Sequence, residues 1–113
     1  MTEQSDVRMV YMTADGADEA RRIGLALVEA RLAACVNIID PMTSMYWWEG
    51  KVVDGKETVL IAKTTARLVD ALTEKVREIH SYECPCVVAL KAAGGNPGFL
   101  DWIAEETTIE ATP

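Results

Sequence analysis

Apolar and polar positions along this chain switch between two periods, and the switches mark out its elements. The run from Val7 to Met12 is short, apolar and rich in strand formers, which predicts a strand buried on at least one face. From Ala17 to Leu32 the period lengthens. Ala20, Ile23, Gly24, Leu27 and Val28 recur at helical steps while Arg21, Arg22 and Glu29 fall elsewhere, as an amphipathic helix requires. Asp15, Asp18 and Glu19 sit where that helix begins, and carboxylates there favour the positive end of the helix dipole. Residues 34–39 return to strand character. That strand is expected to stop at Asp40-Pro41, because proline cannot donate to a ladder and biases the residue before it.

Two further strand-like runs follow, from Ser44 to Val53 and from Lys56 to Thr64, with Asp54-Gly55 between them. Asp-Gly in that setting is the strongest short hairpin signal, since a type I′ turn needs positive φ at both central positions. Thr65 is the expected cap of a second helix, in which Leu68, Leu72, Val76 and Ile79 recur at helical spacing up to about His80. Cys86 to Lys91 reads as another strand and Gly94-Gly95 as a loop. Asn96-Pro97 then supplies an N-cap and first residue for a short helix through Phe99, Leu100, Trp102 and Ile103.

The order is therefore β-α-β-β-α-β plus a C-terminal helix, the split βαβ arrangement of a ferredoxin-like α+β sandwich. The central hairpin is long for a small domain, and it carries Tyr46, Trp47 and Trp48 in succession. Adjacent strand residues point to opposite faces, so one tryptophan is expected to enter the core while the other faces outward or meets a partner. A single-domain core cannot easily hide both, which favours a subunit interface.

At 113 residues the chain fits one domain, with a core over about 7–106 and polar tails at 1–6 and 107–113. Eleven basic against eighteen acidic residues give a formal charge of −7, which repels a phosphate backbone and argues against a nucleic-acid partner. No apolar run approaches the roughly 20 residues of a bilayer-spanning helix. The polar, acidic start lacks the pattern of a secretory signal, and an odd thiol count favours the reducing cytoplasm.

Candidate chemistry concentrates in residues 80–86, which hold the only histidine, His80, and two of the three cysteines, Cys84 and Cys86. Imidazole and thiolate suit Zn²⁺ and copper, and side chains two apart on extended chain share a side. The competing reading makes all three cysteines small buried hydrophobes, since the run leads directly into apolar Val87 to Leu90. No signature of a catalytic cysteine is present, and phosphate-loop and dinucleotide fingerprints are missing.

Five runs in this order resemble the CutA family of divalent-cation tolerance proteins, over about Val7 to Trp102. They are 31–37 (Arg31 to Asn37), 44–51 (Ser44 to Lys51), Glu57 with Lys63-Thr64, 80–85 (His80 to Pro85) and 99–102 (Phe99 to Trp102). The resemblance implies a ferredoxin-like subunit in a tight homotrimer, with the hairpin wrapping onto its neighbours, similar to the trimeric signalling protein PII. It also implies a non-enzymatic link to copper and other divalent ions. Three departures stand out. Asp15 replaces a usual proline and is expected to cap the first helix still; Ser81 replaces the proline of His-Pro-Tyr and frees a backbone N–H; Cys86 replaces the glutamate of Pro-Glu. The last change exchanges a hard oxygen donor for a soft sulfur one.

On this reading Cys35, His80, Cys84 and Cys86, with Glu83 as an oxygen donor, are the candidate metal ligands, assembled across a trimer cleft. The alternative is a PII-like regulatory module that holds a small anion or metabolite between subunits against Trp48, Lys63 and Tyr82, with His80 beside them. For Lys63 a plain strand-end lysine with its head in solvent is an equal reading.

Overall fold

The structure is a computed structural model that describes residues 6–108. Of the expected polar tails 1–6 and 107–113, residues 1–5 and 109–113 lie outside the described residues. The elements are β1 (Val7–Ala14), α1 (Ala17–Glu29), β2 (Cys35–Trp48), β3 (Lys51–Thr65), a 3-10 turn (Ala66–Leu68), α2 (Val69–Ile79), β4 (Val87–Lys91) and α3 (Pro97–Glu106). They form one antiparallel sheet of order β2-β3-β1-β4, the ferredoxin-like topology that the element order predicts.

Alternation along the strands divides the sheet into two unlike faces. Val10 and Met12 of β1 pair with Ala62 and Leu60 of β3, and these four meet Ile23 and Leu27 of α1 and Leu72 and Val76 of α2 in one buried cluster. Both helices therefore cover the same face. Gly24 lets α1 approach β2 closely, since a Cβ there would stand 3.3 Å from Val36 Cγ1. The opposite face has no such cover. Met9, Ile39, Val88 and Leu90 are exposed on it, and only α3 closes one end, where Leu100 and Ile103 pack against Val7.

Helix ends follow local chemistry that the periodicity does not reveal. The first helix stops at Glu29, three residues short of the sequence expectation, in a Schellman arrangement: Arg31 N–H donates to the Val28 carbonyl and Leu32 N–H to that of Leu27. Arg31 adopts the left-handed conformation, φ 60°, that glycine usually supplies, and its guanidinium binds the Glu106 carboxylate at 2.7 Å. Asp15 is not the cap. Gly16 occupies that position, and Glu19 instead reaches back to accept the Asp15 N–H. Thr65 likewise makes no side-chain cap and precedes the 3-10 turn. Asn96 caps α3 as expected, accepting from Gly98 N–H. Thr107, assigned to the polar tail, is buried and donates to the Ile103 carbonyl.

The hairpin corrects the sequence reading most. Its turn is Glu49-Gly50, with φ of 51° and 79°, and Asp54-Gly55 lies inside β3 opposite Met45 and Ser44. Proline does not end β2. The strand absorbs Asp40-Pro41 in a bulge between Ile39 and Met42, where the ladder needs no donor, and Thr58 donates its hydroxyl hydrogen to the Asp40 carboxylate. The predicted strand 34–39 and the first half of the predicted strand 44–53 thus join in one 14-residue strand, while residues 51–53 open β3. Its outer half extends beyond the helices as an arm, and the molecule reaches 49 Å in its longest dimension. Neither Trp47 nor Trp48 enters the core of the chain: they are 74% and 62% exposed, because no helix reaches over the arm.

Candidate functional site

The connection from α2 to β4, residues 80–86, is held by buried polar contacts rather than by regular structure. Ile79 ends α2, and His80 turns into extended backbone with its side chain 1% exposed. Its Nε2 lies 2.8 Å from the Thr13 carbonyl, and its Nδ1 accepts the Tyr82 N–H at 3.0 Å. A backbone N–H can only donate, so Nδ1 carries the lone pair and Nε2 carries the proton. Both ring nitrogens are thereby committed. In this chain His80 offers neither a free lone pair for a metal nor an available general base, a correction to its place among the expected ligands.

Glu19 anchors the same connection from α1. Its carboxylate accepts the Ser81 N–H at 2.6 Å, the Ser81 hydroxyl at 3.0 Å and the Asp15 N–H at 2.9 Å, and Arg22 lies 3.4 Å away. Burial pushes its pKa up, but the hydrogen bonds from Asp15 and Ser81, with a smaller favourable contribution from nearby His80, outweigh burial and hold the acid below its usual value. The N–H freed by serine in place of the family's proline is therefore used, as a direct donor to Glu19.

A second carboxylate, Glu57 of β3, ties the connection to the base of the arm. Ser44 donates to one of its oxygens at 2.7 Å and the Tyr82 hydroxyl to the other at 3.0 Å. Burial first, then this bond and the charge of Glu57, raise the Tyr82 pKa well beyond the ordinary phenol range. The His80 and Tyr82 rings lie 4.7 Å apart, so the two anchors form one continuous cluster. Cys86 borders it: burial and then Glu57 push its thiol pKa up, while a hydrogen bond with the Thr13 side chain partly offsets them.

The remaining expected ligands are not gathered. Cys84 and Glu83 are exposed on the connection. Cys35 pairs with Lys63, which pairs with Met9, so it shares the open face with Cys86 beside Thr13. It sits on the opposite edge strand and at the other end. With a rise of about 3.3 Å per residue and strands about 4.8 Å apart, the Cys35 and Cys86 positions are roughly 20 Å from each other. Among the described residues no three His, Cys, Asp or Glu side chains come together as a metal group. One chain alone therefore does not fit a closed metal site.

The expected small-molecule set is also dispersed. Trp48 pairs with Lys51 beside the hairpin turn, whereas Lys63 lies roughly 40 Å further along β3 at about 3.3 Å per residue. Lys63 donates to the Asn37 side-chain oxygen. Only Tyr82 belongs to the polar cluster.

Sequence reasoning passed over Glu19, Ser44 and Thr13 as site residues. Glu19 was indistinguishable from Asp18 as a helix-start acid, although only Glu19 faces the connection. Glu57 had a visible signal, a lone carboxylate on the inner half of a strand leading into the apolar 59–62.

Fold and site together define a small ferredoxin-like domain with one helix-covered sheet face, one open face, a projecting aromatic arm and a structural polar cluster at the α2–β4 connection. Relatives with this design are divalent-cation tolerance proteins. The chain belongs to the CutA1 divalent ion tolerance protein family, whose pattern it matches over residues 8–106. It is 46% identical to the divalent-cation tolerance protein CutA of Thermus thermophilus, over 88% of this chain and 96% of that one. It is 43% identical to the chloroplastic CutA 1 protein of rice, over 88% of this chain but only 56% of the longer rice protein. The structure of the periplasmic divalent cation tolerance protein CutA from Archaeoglobus fulgidus superposes with a TM-score of 0.87 at 40% identity, covering 89% of this chain and 98% of that one.

Proposed function

We propose that this chain acts in divalent-cation tolerance as a non-catalytic cytoplasmic homotrimer, with Cys84 and Cys86 as thiolate donors to copper or another soft metal. The observation that carries the reading is the pair of thiols on a connection bordering the open sheet face. Two thiolates make at most half of a four-coordinate site, so a complete one takes Glu83 or a donor from a neighbouring subunit. Sulfur favours Cu(I) or Zn²⁺ over Mg²⁺ or Ca²⁺. The committed imidazole of His80 supports a non-catalytic role, and three free thiols suit a reducing compartment.

Cys86→Ser is expected to weaken Cu(I) or Zn²⁺ binding by about tenfold or more, roughly 1.4 kcal/mol, without changing assembly. Cys35→Ser should spare affinity. Equilibrium dialysis with thiols kept reduced decides it, and unchanged binding in both single variants and in a Cys84/Cys86 double variant rejects thiolate ligation.

Assembly is supported by the exposed Met9, Ile39, Val88 and Leu90 on the sheet and by Met45 and Trp47 on the arm. The intact protein is expected to scatter light as three chain masses at micromolar concentration. Trp47→Glu should shift it towards smaller species, since a charge placed at the centre of an apolar interface is costly to desolvate. A wild-type chain that stays monomeric and folded refutes the trimer.

A further inference from the structure

We propose that Cys84 and Cys86 are a reversible redox pair, which a hydroperoxide converts into an intrachain disulfide within the α2–β4 connection. The inference is independent of metal binding and rests on placement. Cys84 is exposed where the chain bends, whereas Cys86 is half-buried against Thr13 just before β4. Two residues of extended chain span roughly 6.6 Å between Cα atoms, near the upper limit of about 6.8 Å for a disulfide. The fixed φ of Pro85, about −65°, shortens that span. Cys35 is not a competitor within the chain, being on the far edge strand.

The different surroundings of the two thiols assign their order. Thiolate character and access govern oxidation, so solvent-exposed Cys84 reacts first. Its sulfur attacks one peroxide oxygen; an S–O bond forms, the O–O bond breaks, the sulfur loses two electrons to the peroxide, and one water leaves. Cys86, two residues away and half-buried, is the thiol within reach and resolves the sulfenic acid. Its sulfur forms the S–S bond as the S–O bond breaks, and the hydroxyl departs as a second water with the Cys86 proton. The small ring closed by adjacent-but-one cysteines is strained, which makes the disulfide easy to reduce again. Its formation would withdraw Cys86 from Thr13 and leave no thiolate on the connection.

The test uses the full chain, reduced and treated with a chelator, then exposed to stoichiometric hydrogen peroxide. Intact mass should fall by two hydrogens, and free thiols should fall from three to one per chain. Peptide mapping should join Cys84 to Cys86, with both changes reversed by a thiol reductant. Cys35→Ser should show the same mass loss with no free thiol remaining, and Cys86→Ser should accumulate a sulfenic acid at Cys84 that dimedone traps. Retention of all three thiols, oxygen addition to Cys84 without loss of two hydrogens in the wild type, or a link through Cys35 or between chains overturns the proposal. Because the chelated protein is used, failure here leaves the metal-binding experiment unaffected.

Discussion

Replacing Glu19 by alanine is expected to lower the free energy of unfolding by about 3 kcal/mol, a charged hydrogen bond being worth roughly 1.5–3 kcal/mol. The truncation leaves the N–H groups of Asp15 and Ser81 without their acceptor and unpins the connection from α1. Arg22 contributes little to this figure, since its guanidinium is largely exposed and lies 3.4 Å away. Glu19→Gln keeps the shape and one good acceptor, so its loss should be smaller and its pH dependence different. The folded protein holds this acid below the ordinary glutamate pKa of about 4.3, so the unfolded chain binds its proton first as pH falls. The stabilisation is thus complete above that value and disappears as pH drops through the lower folded one. Denaturant titrations from acid to neutral pH should show wild type and Glu19→Gln converging at the acid end. Parallel curves across the whole range would mean that Glu19 does not carry this linkage.

Leu72→Ala should cost roughly 2–5 kcal/mol through lost transfer energy and the cavity left behind. Leu72 has no exposed surface and shares its cluster with Val10, Met12, Ile23, Leu27 and Val76, so both helices and the sheet press on the vacated space. Neighbours held by two layers collapse poorly into such a gap. The measurement is the shift in denaturant midpoint at one fixed protein concentration, since folding and assembly are coupled on the trimer reading. A loss below about 1 kcal/mol would mean that the helical face had relaxed around the smaller side chain.

The helices were legible because their signals are local. The spacing of Leu68, Leu72, Val76 and Ile79 marks one face of α2 whatever surrounds it, and Asn96-Pro97 starts α3 by its own hydrogen bond and fixed φ. The hairpin turn was not legible in the same way. Asp54-Gly55 is the better turn dipeptide, yet turning Val36 and Ile38 towards Gly24 of α1, opposite Ala62 and Leu60, sets a register that brings the turn to Glu49-Gly50. A left-handed glutamate costs less than turning the apolar positions of a long strand to the wrong face. Arg31 shows the same priority: the helix ends where Leu32 must return to pack on the core, although no glycine marks the place.

The site divides along the same line. Its position at residues 80–86 could be read from the rare residue types gathered there, and that run is one of the five that carry the family resemblance. Which side chains act together could not, because Glu19, Thr13, Ser44 and Glu57 come from four other elements that only folding brings to the connection. Composition alone could not say that His80 has spent both nitrogens on hydrogen bonds while Cys84 remains open to solvent. Short-range periodicity and residue type thus determined the helices, the ferredoxin-like order and the family. Register, helix stops and the partners of each polar group were decided by the tertiary structure, since each depends on burying distant apolar positions together and on satisfying every buried donor and acceptor at once.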